Sequence, residues 1–322
     1  MEYRKLGIWG AKVSEVSLGS WLTYGNVVDN SLAVGQIHHA VDIGINFIDT
    51  ANVYAQGKSE EVVGEALTSL QRDKIFLATK VYFPMGEGPN DKGLSRKHIF
   101  EQCHHSLRRL KTDYIDLYQC HRYDPETPVF EVVKTMADLA AQGKILYWGV
   151  SEWPADKIQE ACDKARSLNA MPPVSNQPCY NMLDRKIECE VIPVSEKNGL
   201  GQVVFSPLAQ GILTGKYKPG QPFPKGSRAE DERVNMFIKG KNLTDDPILR
   251  QVEELGKIAA ELDLTMAQLA LAWCLRLPGV SSVICGATKL EQIDDNAAAS
   301  GVVLEPQVLE RIEHILSAPV CH

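Results

Sequence analysis

The chain has 322 residues, of which 44% are hydrophobic and 23% are charged, a composition typical of a globular protein in water. Its formal net charge of −7 at pH 7 gives no reason to expect a nucleic-acid partner, although a local basic pocket for one phosphate stays compatible with it. The first five residues carry no apolar secretory signal, and no run approaches the roughly 20 apolar residues of a membrane span. We therefore predict a cytoplasmic protein that binds no nucleic acid.

The eight cysteines include no Cys-x-x-Cys pair. In a reducing compartment they are predicted to be free thiols, several of them buried, rather than a disulfide framework or a zinc site. His104 and His105 are adjacent, so they lie on different sides of a predicted helix and lack the i, i+4 spacing of paired helical ligands. No metal site is predicted.

The first secondary-structure signal is a hairpin, because residues 3–17 alternate apolar and polar side chains around Gly7 and Gly10. Residues 16–21 then predict a strand and the loop that leaves it. Beyond them, helical patterns alternate with short apolar runs. The helical patterns lie near residues 31–43, 59–69, 96–109, 129–141, 154–168 and 186–198, and the apolar runs near residues 45–48, 75–80, 114–120, 145–150, 174–177 and 202–205.

Strands that alternate with helices of this length predict right-handed βαβ units and an all-parallel sheet. The first strand and residues 280–285 bring the strand count to eight, which favours a closed (β/α)8 TIM barrel over an open sheet. Helical patterns near residues 247–261 and 265–276 precede the last strand, and another follows near 306–317. The length suits two average domains or one barrel, and the pattern predicts a single domain over residues 1–322.

One long connection interrupts this alternation. Residues 210–245 are rich in Gly, Pro, Lys and Arg, with three prolines between Lys218 and Pro224. A connection of this length is usually either a functional loop or a disordered one. Because the barrel pattern resumes beyond it, we predict no domain boundary there.

Four ionisable residues fall at or just after the ends of successive predicted strands: Asp49, Tyr54, Lys80 and His121. Taken singly, each has an ordinary structural explanation, in a turn, in loop packing, as a lysine reaching solvent or as a core histidine. The C-terminal ends of barrel strands, however, form one mouth, where such side chains meet. A lysine at the end of an apolar run is also unfavourable without a partner. Together the four residues indicate a site.

This set resembles the Asp, Tyr, Lys and His tetrad of the aldo-keto reductase superfamily. Residues 88–99, 147–153 and 206–217 resemble the branch that includes potassium-channel beta subunits, notably those of plants, and the likeness runs from about Tyr3 to the last predicted helix. The resemblance implies an NADPH-dependent reduction of aldehydes and ketones, a small-molecule carbonyl substrate and a homo-oligomer such as a tetramer. Mammalian channel beta subunits have asparagine where His121 stands, so the histidine favours a competent enzyme.

The implied chemistry is delivery of a hydride to carbon and of a proton to oxygen. Tyr54 is the implied proton donor, and since an unperturbed tyrosine has a pKa of about 10, the nearby Lys80 cation is expected to lower that pKa. Asp49 is expected to keep Lys80 charged and oriented. His121 is expected to donate a hydrogen bond to the substrate carbonyl.

The cofactor contacts are also implied by the resemblance. Gly-x-Gly-x-x-Gly is absent, so the Rossmann fingerprint does not apply. Residues 286–296 follow the eighth strand and open a helix, a geometry that binds phosphate in barrels but that an ordinary glycine turn and helix cap also produce. Residues matching the family's cofactor positions are Ser20, Trp21, Asp49, Ser151, Asn176, Gln177, Phe205, Ser206, Pro207, Leu208, Ala209, Gly211, Lys216, Arg228, Gly286, Thr288, Gln292, Asp295 and Asn296.

Within this set, the residues from Gly286 onward match positions that hold the adenosine end, and Lys216 and Arg228 match positions that hold phosphate. Basic groups suit a 2′-phosphate, which favours NADPH over NADH. Phe205 matches the aromatic ring that stacks on the nicotinamide, and Ser151, Asn176 and Gln177 are placed to bond its carboxamide. Residues 215–228 are expected to fold over the dinucleotide and to slow its release.

Trp21, Tyr24, Tyr82 and Trp153 fall in loops at the same mouth, where they either line an apolar substrate pocket or simply pack the loops. Two other functions stay open. One is an NADPH-binding, redox-sensing beta subunit of a potassium channel, against which His121 and the short N-terminal extension argue, since no channel-blocking peptide fits ahead of the barrel. The other is a barrel isomerase or hydrolase without a nicotinamide cofactor.

Overall fold

Ten strands form two sheets in the computed structural model, which describes residues 1–232 and 234–316. Two strands pair antiparallel as a hairpin, and the other eight pair in parallel as a closed barrel. The hairpin strands are β1 (Tyr3–Lys5) and β2 (Lys12–Ser14), and the barrel strands are β3 (Val16–Gly19), β4 (Phe47–Asp49), β5 (Phe76–Val81), β6 (Ile115–Cys120), β7 (Ile145–Ser151), β8 (Ser175–Gln177), β9 (Gly201–Phe205) and β10 (Val280–Cys285).

The barrel closes because β10 pairs in parallel with both β3 and β9. Helices surround it: α1 (Asn30–Asp42), α2 (Lys58–Leu67), α3 (Arg96–Leu110), α4 (Val129–Ala141), α5 (Ala155–Ser167), α6 (Val191–Lys197), α7 (Met236–Lys239), α8 (Asp246–Glu261), α9 (Met266–Leu275), α10 (Leu290–Ala297) and α11 (Pro306–Leu316). The predicted TIM barrel with an N-terminal hairpin and extra C-terminal helices is confirmed.

One predicted helix is broken. Residues 186–198 divide into a 3₁₀ turn, Lys186–Glu188, and α6. Pro193 explains the break, because a proline donates no backbone hydrogen bond and its ring clashes with the carbonyl four residues earlier, at Cys189. Since α6 begins at Val191, Pro193 lies in its first turn, where backbone N–H groups have no intrahelical partner anyway.

The cysteine prediction is confirmed at six positions and wrong at one, and the eighth cysteine, Cys321, lies outside the described residues. Cys103, Cys120, Cys162, Cys179, Cys274 and Cys285 are buried free thiols. Cys189, in contrast, is disulfide-bonded. It lies in the break before α6 and is only half-buried, so its sulfur is more accessible for pairing than the six core thiols.

The hairpin closes the bottom of the barrel. Leu6, which follows β1, and Val13 of β2 are fully buried and pack in one cluster with the inward-facing strand residues Phe47, Leu117 and Val203. Because inward-facing residues alternate along each strand, this cluster fills the lower half of the barrel. The inward positions toward the C-terminal ends of the strands are left for polar side chains.

Two larger apolar clusters lie between the barrel and its helices. Helices α8 and α9 belong to one of them, and Leu255 and Trp273 are fully buried there. In the described part of the chain, no single helix is long and apolar enough to cross a membrane. Helices α8 and α9 reach that length and apolar character only when taken together, and they are bent by 89° relative to each other.

The long connection after β9 is ordered by internal contacts. It contains a 3₁₀ turn, Ala209–Thr214, and the short helix α7. The Tyr217 ring is buried against Phe223, with 5.8 Å between ring centroids, and its hydroxyl accepts a hydrogen bond from the Ala229 amide at 3.2 Å. The connection is therefore folded rather than disordered.

Candidate active site

A cavity of about 1690 Å³ opens at the C-terminal ends of the barrel strands. Pockets for one small ligand usually measure about 300–1,000 Å³, so this cavity has room for an extended ligand and a small one together. Tyr54 and His121 lie on its wall near the barrel axis, and Gly286 and Asn296 lie on the wall beside α10.

Lys80 and Asp49 form a buried ion pair at the cavity wall, which Asp49 lines. Lys80 Nζ donates to Asp49 Oδ1 at 2.5 Å, to the Thr50 carbonyl at 2.9 Å and to the Tyr54 hydroxyl at 3.2 Å. Burial lowers the pKa of Lys80, but the charge of Asp49 and the contact with Tyr54 outweigh it, so that the pKa is raised overall. The ammonium group therefore stays charged, as predicted.

The loop that presents Tyr54 is strained and firmly held. Tyr54 begins a 3₁₀ turn in which Ala55 and Gln56 have φ of 49° and 54°, a left-handed conformation that costs about 1–2 kcal/mol for a side-chain-bearing residue. The next helix, α2, is anchored by Glu60, which is fully buried and accepts from Arg109 at 2.7 Å and from Thr79 at 2.6 Å. Such over-determined strain is typical of functional loops.

The pKa of Tyr54 is shifted in the direction opposite to the prediction. Burial raises it, Lys80 lowers it, and Asp49 raises it again, with a net increase above the usual value. Lys80 fails to lower the pKa overall because the effect of burial is larger, and the Asp49 carboxylate adds to that effect. Tyr54 is therefore a protonated phenol at neutral pH, suited to donating a proton.

The imidazole of His121 faces the same space. Its ring meets the Tyr54 ring edge-on at 5.7 Å and the Phe83 ring at 4.9 Å between centroids. Burial, the Lys80 charge and the Arg122 charge hold its pKa well below the usual value, so the ring is neutral. Because buried Nδ1 has no partner in the described structure, we assign the proton to Nε2, which leaves no buried N–H unpaired.

Two predicted side chains form the wall beside Asp49. Gln177 Nε2 donates to Asp49 Oδ2 at 2.8 Å, and the Ser151 hydroxyl donates to the Gln177 carbonyl at 2.8 Å. Asn176, the neighbour of Gln177, does not line the cavity; its amide donates to Gln202 of the adjacent strand at 3.1 Å. Neighbouring residues of a strand point to opposite faces, so both cannot reach the same ligand.

The far end of the cavity is built for an anion. Arg228 is held by Gln210, at 2.6 Å, rather than by a carboxylate, and burial lowers its pKa. Lys216 lines the same cavity, with Nζ 5.2 Å from the centroid of the Tyr217 ring. The first turn of α10 has no side-chain cap, and free N–H groups at a helix N-terminus favour negative charge. These groups fit a phosphate-bearing cofactor.

The other predicted contacts fall into two groups. Ser20 is covered, since its hydroxyl accepts from Ser59 at 2.8 Å and it lies off the cavity wall. The residues that do line the cavity are Trp21, Asp49, Ser151, Gln177, Phe205, Ser206, Pro207, Leu208, Ala209, Gly211, Lys216, Arg228, Gly286, Thr288, Gln292, Asp295 and Asn296.

Of the four aromatic residues expected at the mouth, Trp21 and Tyr24 line the cavity, whereas Tyr82 and Trp153 do not. Tyr82 packs edge-on against Phe83 at 5.2 Å, and Trp153 against Tyr123 at 5.3 Å. Phe83 takes the expected place in the wall. Adjacent aromatic residues gave no sequence signal to tell the lining ring from its support.

Among the charged residues of the wall that sequence reasoning missed are Glu152 and Arg122. Glu152 has φ of 53°, and its carboxylate accepts from the Cys179 amide at 2.6 Å. Each follows directly after a predicted strand end, the position that identified the tetrad, so the signal was present. Phe237 of α7, which contacts Trp21 at 5.0 Å, had no such signal.

The parallel barrel, the Asp, Lys and Tyr group at its strand ends and the adjoining anion site are the features of a barrel oxidoreductase. The chain belongs to the aldo/keto reductase family, whose model matches residues 15–317.

Curated relatives span nearly the whole chain. A protein of Arabidopsis thaliana named "Probable voltage-gated potassium channel subunit beta" is 45% identical over 323 residues, covering 99% of this chain and 97% of the relative. A protein of the same name from Oryza sativa subsp. japonica is 44% identical with the same coverage. The Schizosaccharomyces pombe protein named "Putative voltage-gated potassium channel subunit beta" is 42% identical, covering 98% and 93%. The predicted likeness to this branch is confirmed.

Proposed function

We propose that this protein is an NADPH-dependent reductase that converts aldehydes and ketones to alcohols. The observation that carries the proposal is the hydrogen-bonded group of Asp49, Lys80 and Tyr54, with the His121 ring against Tyr54. When bound, the nicotinamide cofactor supplies the hydride. The residues of the chain supply the proton and hold the carbonyl.

Tyr54 transfers its phenolic proton to the carbonyl oxygen as that oxygen gains negative charge. The phenol carries this proton at neutral pH because burial raises its pKa. The phenolate that is left lies 3.2 Å from the Lys80 ammonium, which stabilises it. Asp49 fixes the ammonium group in this position, and the active phenol is restored by a proton from solvent.

His121 orients the carbonyl. A neutral imidazole with its proton on Nε2 donates one hydrogen bond and cannot compete with Tyr54 as an acid. A hydrogen bond aimed at the oxygen where charge develops stabilises the transition state more than the ground state. We assign His121 to this role.

The preference for a 2′-phosphorylated cofactor rests on the cations of the far wall. Arg228 is largely buried and has no carboxylate partner among the described residues, and burying such a charge is unfavourable unless a counter-charge arrives with a ligand. Lys216 and the uncapped α10 terminus add to the same field. We assign Ser151 and Gln177 to the nicotinamide amide and Phe205 to its ring.

The test is oxidation of NADPH by the purified protein against a panel of aromatic and aliphatic aldehydes, with NADH in parallel. Sustained turnover with NADPH, and a KM at least about tenfold lower than for NADH, is expected from charge-assisted contacts to one phosphate. Tight NADPH binding followed by no more than a single turnover would contradict the reductase and leave a cofactor-binding protein.

Slow cofactor release is part of the proposal. The strap formed by residues 215–228 is held at its C-terminal end by the hydrogen bond from Arg228 to Gln210 and near its N-terminal end by the buried Tyr217. A dinucleotide beneath it cannot leave until these contacts open. Stopped-flow fluorescence should show NADPH leaving no faster than the enzyme turns over; release many times faster than turnover would contradict this.

The second candidate is a regulatory subunit of a voltage-gated potassium channel, and the names and full-length coverage of the relatives favour it. An NADPH-binding barrel with redox-dependent affinity for a channel would serve this role. Mixing the purified chain with a detergent-solubilised plant potassium channel, followed by gel filtration with light scattering, would measure both co-elution and the oligomeric state. A homotetramer is expected, and co-elution would establish the partner.

A further inference from the structure

One cation of the cavity wall has no task in the mechanism above. Arg122 follows β6 directly after His121, is half-buried and lines the cavity. Its Nη1 donates to the His121 carbonyl at 2.5 Å, and this is its only hydrogen bond to protein within residues 1–232 and 234–316. A guanidinium has five N–H donors, so most of its donor capacity is free to bind a ligand.

No carboxylate of the described chain lies within the 4.0 Å ion-pair distance of this guanidinium. The four carboxylates of the cavity wall are engaged elsewhere: Asp49 with Lys80, Asp184 with Lys241, Glu152 with the Cys179 amide and Asp295 with Gln268. Arg122 is therefore a charge without a protein counter-charge in a partly desolvated place.

Arg122 lies next to the reacting group, unlike the cations of the phosphate end. Its guanidinium carbon is 5.5 Å from the centroid of the Phe83 ring, and the His121 ring meets that same Phe83 ring at 4.9 Å. Its positive charge lowers the pKa of both His121 and Tyr54. A molecule whose carbonyl bonds Tyr54 and His121 thus needs only the width of about one aromatic ring to reach Arg122.

We propose that Arg122 selects carbonyl substrates that carry a carboxylate close to the aldehyde or ketone, with the apolar part of the substrate against Phe83. This proposal rests on the proposed reductase function and narrows its substrate class. A guanidinium and a carboxylate match as a planar, two-bond pair. The substrate pocket is then apolar at Phe83 and cationic at the edge formed by Arg122.

The test compares carboxybenzaldehydes with their methyl esters, which keep the ring and aldehyde but lose the charge, at the ortho, meta and para positions. In the wild-type protein, kcat/KM should be higher for at least one acid than for its ester. Arg122→Gln should lower that value about 10- to 100-fold for the acid, mainly through KM, because charge-assisted hydrogen bonds are lost. The ester should change by less than about twofold.

Two further variants sharpen the comparison. Arg122→Lys keeps the charge but not the two-bond geometry, so its loss on the acid should be intermediate. Arg108→Gln makes the same change of charge on an exposed residue outside the cavity and should alter neither substrate. An equal loss on acid and ester in Arg122→Gln, or no preference for any acid in the wild type, would overturn the proposal while leaving the reductase intact.

Binding distinguishes failure of the selectivity from failure of the reductase. Calorimetric titration of benzoate and of benzamide into the NADPH-saturated protein needs no turnover. Benzoate affinity that falls in Arg122→Gln and not in Arg108→Gln would support the carboxylate site even if no aldehyde were reduced. Benzoate that binds no better than benzamide, or equally to both variants, would overturn it.

Discussion

The two ends of the barrel are built on opposite principles. At the bottom, the hairpin inserts Leu6 and Val13 into an apolar cluster, and the nearby charge of Arg4 is matched by Glu15 at 2.6 Å. At the mouth, eight basic residues share the described cavity wall with four carboxylates, in a chain whose net charge is −7. At the bottom, charged and apolar groups find their partners within the protein. At the mouth, the excess of basic residues leaves positive charges that a ligand can neutralise.

Backbone strain divides in the same way. Eleven non-glycine residues of the described chain have left-handed φ, and six of them line the cavity: Leu22, Ala55, Glu152, Ser206, Ala209 and Gln210. Lys111, Asn169 and Asp263 simply follow the ends of helices, where such residues are common. Strain is therefore concentrated where side chains must be aimed at a ligand, and the apolar layers supply the stability that tolerates it.

The largest expected effect is at the centre of the mouth. Tyr54→Phe removes the proton donor and keeps the ring, so kcat should fall about 10²- to 10⁴-fold. NADPH affinity should be unchanged, because the lost hydroxyl contacts Lys80 rather than the far wall. Steady-state kinetics and fluorescence titration measure the two quantities; full turnover in the variant would remove Tyr54 from the mechanism.

The bottom should respond in stability alone. Leu6→Ala opens a cavity in a fully buried cluster and should lower the free energy of unfolding by about 2–5 kcal/mol. The matched control is Ile8→Ala, in the same hairpin but 72% exposed, with an expected change within about 0.5 kcal/mol. Urea titration measures both. A change in KM for NADPH in the folded Leu6→Ala variant would contradict the separation of the two ends.

Arg228→Gln should separate stability from binding at the mouth. The variant removes a half-buried cation that has no carboxylate partner among the described residues, so the ligand-free protein should not lose thermal stability. NADPH affinity should nevertheless fall about 10- to 100-fold, as expected for a charged hydrogen bond to phosphate. Thermal denaturation with and without NADPH measures both. A destabilised apo protein with normal affinity would show that Arg228 serves the fold.

The smallest expected effect is a pH dependence. Because the folded-state pKa of His121 lies below that of the unfolded chain, only the unfolded state takes up this proton as the pH falls below about 6.5. Stability is therefore lost on acidification, by up to about 1.4 kcal/mol per pH unit for this group. Urea titrations between about pH 7 and 5 should show a shallower loss in His121→Asn than in the wild type.

Part of the loss of stability on acidification will persist in His121→Asn. Burial also lowers the pKa of His98, so this histidine too destabilises the folded protein as the pH falls. Parallel pH profiles in the two proteins would mean that His121 is solvated rather than desolvated at the mouth.

The alternation of apolar runs and helical patterns was enough to predict the eight barrel strands and most helices within two residues of their bounds. It failed at residues 186–198, where Pro193 divides the helix. Spacing also predicted that Asp49, Tyr54, Lys80 and His121 form a site, because residues at the ends of parallel strands meet at one mouth. Their separate roles were implied by the resemblance to the aldo-keto reductase superfamily and not by periodicity.

Tertiary structure decided which side chains at the strand ends reach the cavity. Gln177 faces the cavity and Asn176 does not, and Ser20 is covered by Ser59. Strand register and side-chain packing determine these outcomes, and neither can be deduced from the spacing of residues in the sequence. The direction of the Tyr54 pKa shift was likewise decided by burial and by Asp49 on Lys80. Sequence alone determined the barrel and the placing of four ionisable residues at its strand ends, because these follow from local periodicity and parallel connection. Desolvation and the unmatched charge of Arg122 depend instead on every neighbour that the closed barrel brings near.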